Sequence, residues 1–417
     1  MGRGLRTSSL RAGHPDFLDL PWDYPLTEWE GRTDRLEKMP AGDSRHPVVF
    51  VNYNGAVYAV KSLTRVLASK EYAALRAMES KRLPVVTPVG LVQTETEEGE
   101  AGVLITRYLD HSLPYHQLFL QSMLSRYRAS LLDALAGLLV ELHLAGVYWG
   151  DCSLFNALFL RDAGRLRAYL VDAETSEVHD RISDTMRDYE LQVMFENVTG
   201  GMSDLVALGA LPKDEPVEQT AQAIEQRYRE LWDEVSREEL LVPADRYRIQ
   251  ERVRRLNALG FSVGDIELTP EGDQLKFKVA VTDRSFHRDL LHSLTGLDAQ
   301  ENQAREMMNE IQQQRAYLGE VRGHSMSLSA AGFHWLEHVF QPTVSKIQTA
   351  LDTNDDAAEL YIQLLEHKWY LSERAQRDVG HDSAVEDFIE REGPNLKGLR
   401  ASQADKGEAA AFEASDA

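Results

Sequence analysis

The sequence predicts an α+β fold: a small antiparallel β lobe, a helical lobe, and then a mostly helical C-terminal domain with one small β hairpin. Three observations carry this. Asn54-Gly55 parts two runs of alternating apolar residues, "PVVFVNY" and "AVYAVKSL", and both residues tolerate the positive φ of a type I′ turn. "RASLLDALAGLLVELHLAGVYWG" is apolar nearly all round, the pattern of a buried helix. Beyond Pro243, helical periodicity dominates around a single further hairpin, "DIELTPEGDQLKFKVAVT", turning at Glu271-Gly272-Asp273.

Taken in order, residues 1–33 read as an N-terminal arm, flexible over its first fifteen or so. Residues 34–109 form the β lobe. "DRLEKM" is its first strand, a turn around Gly42 follows, and the Asn54-Gly55 hairpin supplies the next two strands. The helix "SKEYAALRAMESKR" has Ser69 as its N-cap and Tyr72, Leu75 and Met78 on one face. "LPVVTPVGLVQTE" and "AGVLITRYL" complete the sheet. Residues 110–242 are the helical lobe, whose buried helix stops at Gly146, a natural C′ position. That stop places "WGDCSLFN" at the helix's C-terminal mouth. The strands "NALFL" and "AYLVDAE" flank a turn at Asp162-Ala163-Gly164, and two helices follow. A composition shift near Pro243 opens a C-terminal domain over 243–392. The Ala-, Glu- and Asp-rich tail, 393–417, is predicted to be disordered.

Composition narrows the function classes. The net charge of −22 argues against nucleic-acid binding, because phosphate backbones are held by clustered Lys and Arg. No apolar run reaches the ~18–20 residues of a membrane span, and the N-terminus has no secretory h-region. The single cysteine allows neither an internal disulfide nor a Cys-based zinc site, which fits a cytoplasmic protein. An acidic chain that handles phosphates must do so locally, with a metal ion and a few placed cations.

The chain carries such a set. Lys61 lies on a strand, ten residues before Glu71 on the following helix, and a buried lysine needs a counter-charge. Asp151 and Asn156 share one loop, and Asp172 ends the apolar strand "YLVD". Asn156 and Asp172 offer hard oxygen ligands to Mg²⁺. Lys61 suits the α/β-phosphates of ATP, and Asp151 the proton of an attacking hydroxyl. These are the parts, in chain order, of kinase-type phosphoryl transfer.

On those residues the segment from about Leu36 to Val198 resembles the protein-kinase-like superfamily. "ELHLAGVYWGDCSLFN" and "KEYAALRAMESKRLPVVTPVG" are closest in style to RIO, aminoglycoside phosphotransferase and lipopolysaccharide (Kdo/WaaP) kinases. The whole chain, including "RYRIQERVRRLNALGF", "LTGLDAQENQAR" and "LLEHKWYLSERAQRDVG", resembles a bacterial family, domain of unknown function 4032. The resemblance implies an atypical kinase-like bilobal fold and an activity class, without a substrate. Several positions depart from it. The glycine-rich loop is reduced to Gly42, so that Ser44, Arg45 and backbone amides are left to cover the phosphates. Gly150 replaces the Arg of HRD, "DAE" replaces DFG, and no APE motif follows, which weakens the case for a peptide acceptor.

Each signal also has an ordinary explanation: an edge-strand lysine, a solvated helix glutamate, a turn aspartate. Their joint order is what favours chemistry. Cys152, beside an acid that raises its pKa, reads as a packing residue, and His143 as a structural one. "HWLEH" (His334 to His338), with Glu366 and His367, reads as a half-buried helix rather than a metal site, and Trp335, Trp369 and Tyr370 as core. "RVRR" (Arg252 to Arg255) reads as a solvated face. Glu174 either aids metal binding or caps its turn. Two functions follow. The first is an ATP- and Mg²⁺-dependent phosphotransferase acting on a hydroxyl of an unknown small-molecule, sugar, lipid-linked glycan or protein acceptor. Its helical half then closes over the substrate or recruits a protein partner. The second is a pseudokinase-like nucleotide-binding scaffold that recruits a protein through its C-terminal domain.

Overall fold

Asn54 and Gly55 take φ values of +56° and +84°, the left-handed pair a type I′ turn requires. They join β3 (Val48–Tyr53) to β4 (Ala56–Leu63) in the register Val48↔Lys61 through Tyr53↔Ala56. In this computed structural model, the residues described are 4–39, 45–96, 99–115, 118, 128–209, 211–241, 247–271, 274–322, 325–353 and 356–391. Gly42, Ser44, the Gly272-Asp273 turn and the 393–417 tail lie outside them.

The chain divides into two compact units, Met1–Leu160 with Arg165–Arg284, and Arg161–Gly164 with Ser285–Ala417. The first unit opens with a six-stranded sheet in which every pairing is antiparallel. Its order is β1 (Gly4–Leu10), β5 (Pro88–Thr96), β6 (Gly99–Arg107), β4, β3, β2 (Leu36–Glu37). Strand parity sorts the side chains. Tyr58 and Val60 turn to one face, where they join Val51, Val103 and Ile105. Lys61 and Leu63 turn to the other, against α1 (Arg65–Ser80).

Two expectations are corrected here. The first residues are not a flexible arm, since Gly4–Leu10 pairs with β5 at the sheet edge. Phe17, Leu20, Trp22, Leu26 and Trp29 are then buried on the sheet's outer face, with Trp22 and Trp29 indoles donating to Phe17 O (2.7 Å) and Tyr24 O (3.1 Å). A half-exposed sheet face needs an apolar cover, and this segment provides it. The N-cap of α1 is Thr64, whose Oγ1 accepts from Leu67 N, rather than Ser69, which sits inside the helix and donates to Arg65 O at 2.9 Å.

The helical part of this unit is built on α2 (Arg128–Leu144), with Leu131, Leu135, Leu138, Leu139 and Leu142 all buried. Against it lie α4 (Val217–Ser236) and the hairpin β9 (Ala157–Asp162) and β10 (Arg165–Leu170), to which β7 (Leu113–Pro114) adds a third strand. Arg167 and Glu141, both buried, pair through two bonds of 2.6 and 2.7 Å. The short pair β8 (Val147–Tyr148) and β11 (Glu177–Val178) precedes α3 (Asp184–Ala207), which packs on α4. Next come β12 (Glu239–Leu241), α5 (Tyr247–Ala258) and the long hairpin of β13 (Ser262–Glu271) and β14 (Gln274–Asp283).

The second unit is helical: α6 (Phe286–Thr295), α7 (Glu301–Arg322), α8 (Leu328–Trp335), α9 (Gln341–Leu351), α10 (Ala357–Ala375) and a helix over 381–391. A π turn over Leu336–Phe340 joins α8 to α9. Met307, Ile311, Trp335 and Tyr361 fill its core, and Glu310 ties Trp335 Nε1 (2.8 Å), the Tyr361 hydroxyl and His381 together. The rings of His334 and His338 stack 4.4 Å apart, while His367 pairs with Asp387 at 2.7 Å. Trp335 is core, but Trp369 and Tyr370 are exposed, because they lie towards the end of α10 beyond the stripe formed by Leu360, Tyr361 and Leu364. Among the described residues no helix is long and apolar enough to cross a membrane. The observed class is the expected one, an antiparallel N-terminal sheet followed by helices with a helical C-terminal part.

Candidate active site

On α1, Glu71 falls on the stripe made by Ala68, Leu75 and Met78, so the helix carries its carboxylate into the core at 1% exposure. Lys61, on the sheet face that α1 covers, meets it there: Nζ lies 3.1 Å from Glu71 Oε2 and 2.8 Å from Asp172 Oδ2. Asp172 arrives from the end of β10, which is pinned to the β lobe by Leu170 N to Pro84 O (2.9 Å) and Val86 N to Leu170 O (3.0 Å). One ammonium therefore bridges two carboxylates. Burial pulls the Lys61 ammonium down, but the Glu71 and Asp172 charges outweigh it and hold its pKa above the ordinary lysine value. Glu71 is pushed up to about 7, by burial first and by the Asp172 charge second, with Lys61 opposing.

The raised Glu71 sets a pH dependence. Its usual value is 4.5, so between that pH and about 7 the folded chain holds a proton that the unfolded chain has lost. Its contribution is complete below the unfolded value and disappears as pH rises through the folded one. Glu71→Gln lacks this titration, so its Tm relative to wild type should rise between about pH 5 and about pH 8. Parallel melting curves across that window would exclude the raised value.

The second half of the site is the loop between β8 and β9. Gly150 has φ of +84°, and a Cβ there would meet Thr175 at 3.0 Å, so this position cannot accept the arginine of an HRD motif without strain. Asn156 Nδ2 donates to Asp151 O and to Asp151 Oδ2, both at 3.1 Å. Spending the amide nitrogen on Asp151 turns the carbonyl oxygen, a hard donor, the other way. Asn197 on α3 donates to Asp151 Oδ1 at 2.9 Å, so both carboxylate oxygens are held. The two halves are stitched together by Trp149 Nε1 to Asp172 O (3.1 Å), Val171 N to Asn156 O (3.0 Å), and Thr175 Oγ1 to Trp149 O (2.9 Å).

Beneath the loop lies a buried polar column. Glu190 Oε1 accepts from Gly150 N at 2.7 Å, and Oε2 lies 2.7 Å from His143 Nε2. His143 Nδ1 in turn lies 2.6 Å from the Tyr228 hydroxyl. Cys152 is fully buried; burial first, and then the Glu190 and Asp151 charges, raise its thiol well above the ordinary value, which suits packing and not nucleophilic attack.

The fold thus joins Lys61, Glu71 and Asp172 in one cluster and Asp151 with Asn156 in the adjoining loop. Arg45 is exposed. Asp172, not Glu174, caps the turn, its Oδ1 accepting from Glu174 N at 3.0 Å, while the Glu174 carboxylate lies 3.2 Å from His46 Nε2. Sequence reasoning missed Glu190 and Asn197. A signal existed: these polar residues stand two turns apart on the α3 face that also presents Met194 and Gly201 to the interior. Asp172, whose Oδ2 meets the Lys61 ammonium, and Asn156 in the adjoining loop each carry hard oxygens of the kind that suits Mg²⁺ carried with phosphate, a cation that usually takes only one or two protein ligands.

Residues 54–208 match the Lipopolysaccharide kinase (Kdo/WaaP) family. The matched segment contains Lys61, Glu71, Asp151, Asn156 and Asp172, together with Glu190 and Asn197. This Kdo/WaaP match, with the geometry inside it, points to a kinase-like phosphotransferase. Residues 230–392 match a second family, Domain of unknown function (DUF4032). No curated protein matches the chain. Among solved structures, WaaP in complex with acyl carrier protein is similar at 17% identity over 54% of this chain and 100% of that one, with a TM-score of 0.34.

Proposed function

We propose that the chain moves the γ-phosphate of ATP, with Mg²⁺, onto a hydroxyl of its acceptor. The observation that carries this reading is Lys61 held between Glu71 and Asp172, next to a loop that fixes both oxygens of Asp151. Lys61 would orient the α/β-phosphates and Glu71 would orient Lys61, its buried carboxylate excluding other rotamers. Asn156 and Asp172 would hold Mg²⁺, which when bound neutralises phosphate charge. Asp151 would receive the hydroxyl proton, with Asn156 and Asn197 aiming its carboxylate. Arg45 and the backbone around it would cover the phosphates. The Kdo/WaaP match supports a sugar or lipid-linked glycan acceptor, and the left-handed backbone at Gly150, where no HRD arginine stands, speaks against control by a phosphorylated activation loop. The lobes 34–109 and 110–242 would carry this chemistry, and the 243–392 segment would recruit a protein partner.

The test is Mg²⁺-dependent ATP turnover. Asp172→Asn should lower it by about 10²–10³-fold, and Lys61→Met should weaken Mg²⁺-ATP binding by at least about tenfold. Turnover by Asp172→Asn equal to wild type would sink the reading. Nucleotide binding by a wild-type protein that turns over no ATP would favour the scaffold.

A further inference from the structure

Arg161–Gly164, the turn between β9 and β10, belongs to the second compact unit. Its anchor is Asp162, a carboxylate only 1% exposed. Asp162 Oδ1 accepts from Gln303 N and Oδ2 from Asn302 Nδ2, both at 2.8 Å. Gln303 N is one of the backbone donors left over at the start of α7, so the carboxylate also meets the positive end of that helix. Gln303 Nε2 adds bonds to Arg161 O (3.1 Å) and to Glu359 Oε2 on α10 (2.9 Å). Ala163 and Gly164 take φ values of +51° and +72°, a type I′ pair. Alanine is uncommon at such a φ and persists where its surroundings hold it; here it packs on the core of Met307, Trp335 and Tyr361.

We propose that Asp162 is a positioning residue for Asn156 and Asp172, a role that rests on the phosphotransferase reading of the Lys61–Asp172 cluster. Asn156 directly precedes β9, and Asp172 stands two residues past the end of β10. The open end of one hairpin therefore carries both residues proposed to hold Mg²⁺, and Val171 N to Asn156 O (3.0 Å) closes that end. Among the described residues β7 pairs with β9 at Leu158 and Phe159, so the half of the hairpin nearer its turn is a two-stranded ribbon. Such a ribbon needs packing or an anchor to hold one shape. The grip on Asp162 fixes the far end of a lever about 20 Å long, six residues per strand, whose near end spaces Asn156 from Asp172. Mg²⁺ tolerates little departure from octahedral geometry, so a loosened hairpin costs metal affinity before it costs nucleotide affinity.

Asp162→Ala and Asn302→Ala in the full chain test this, with Mn²⁺ as the paramagnetic substitute for Mg²⁺. Asn302→Ala removes one of the two bonds and spares the carboxylate at α7, so it serves should Asp162→Ala fail to fold. Amide hydrogen exchange over residues 157–170, which needs no activity, should speed at least about fivefold. Mn²⁺ affinity of the ADP-bound protein, read by electron paramagnetic resonance, should fall at least about tenfold. ADP without metal should bind as it does to wild type, whereas a general loss of folding would weaken both ligands. Unchanged exchange in the variants, or faster exchange with unchanged Mn²⁺ affinity, overturns the proposal. A wild type that holds no Mn²⁺ with ADP would remove the phosphotransferase reading and the metal role of Asp162 together, a result distinct from either of these.

Discussion

Asp151→Ala is expected to lower kcat for phosphate transfer by about 10²–10⁴-fold, the usual contribution of a positioned proton acceptor. Asp151 is the residue whose carboxylate is held at both oxygens, by Asn156 at 3.1 Å and by Asn197 at 2.9 Å. Such fixing orders an acid for a reaction more than it stabilises a fold, since the side chain is only partly buried. The variant should therefore keep its Tm to within about 3 °C and its affinity for Mg²⁺-ATP to within a few-fold. Rapid-quench measurement of a single turnover separates the chemical step from product release. A variant that transfers phosphate at the wild-type rate would remove Asp151 from the mechanism.

Glu190→Ala is expected to cost about 2–3 kcal/mol of stability, the upper part of the range for leaving a buried polar group without its hydrogen-bond partner. Glu190 is fully buried and supports two groups at once, the Gly150 N–H and the His143 ring. Removing it leaves a buried donor unsatisfied and unlinks α3 from the loop that presents Asp151. Glu190→Gln keeps an acceptor for Gly150 and should lose less than half as much. Urea unfolding of the three proteins decides the matter. An alanine variant within about 1 kcal/mol of wild type would show that the column carries little of the fold.

Much of this site was legible because it follows local periods. Strand parity puts Lys61 on the face opposite Val60, and the helical period puts Glu71 with Leu75 and Met78. Asn54-Gly55 has few conformations other than the turn it makes. The Asp151–Asn156 loop was legible because an unbroken apolar helix must end before it. Other features were not. Thr64 and Ser69 are equally good caps by type, and only the position at which the chain leaves β4 selects Thr64. Residues 17–29 read as part of an N-terminal arm until the uncovered sheet face is known. Arg252 looks solvated until the end of α4 supplies carbonyls for it.

By itself, the order of residues determined the elements, their inward faces and the identity of the groups able to do chemistry. Those depend on rotations per residue and on side-chain type, which act within a few positions. The tertiary structure alone decided which groups meet. Lys61 and Asp172 stand 111 residues apart, and their 2.8 Å contact exists because β4, α1 and β10 bury a common core. It also decided that Asn197 and Glu190, ordinary helix residues in sequence, hold the loop of Asp151. Burial is a property of packed surfaces, and no single segment contains both sides of one.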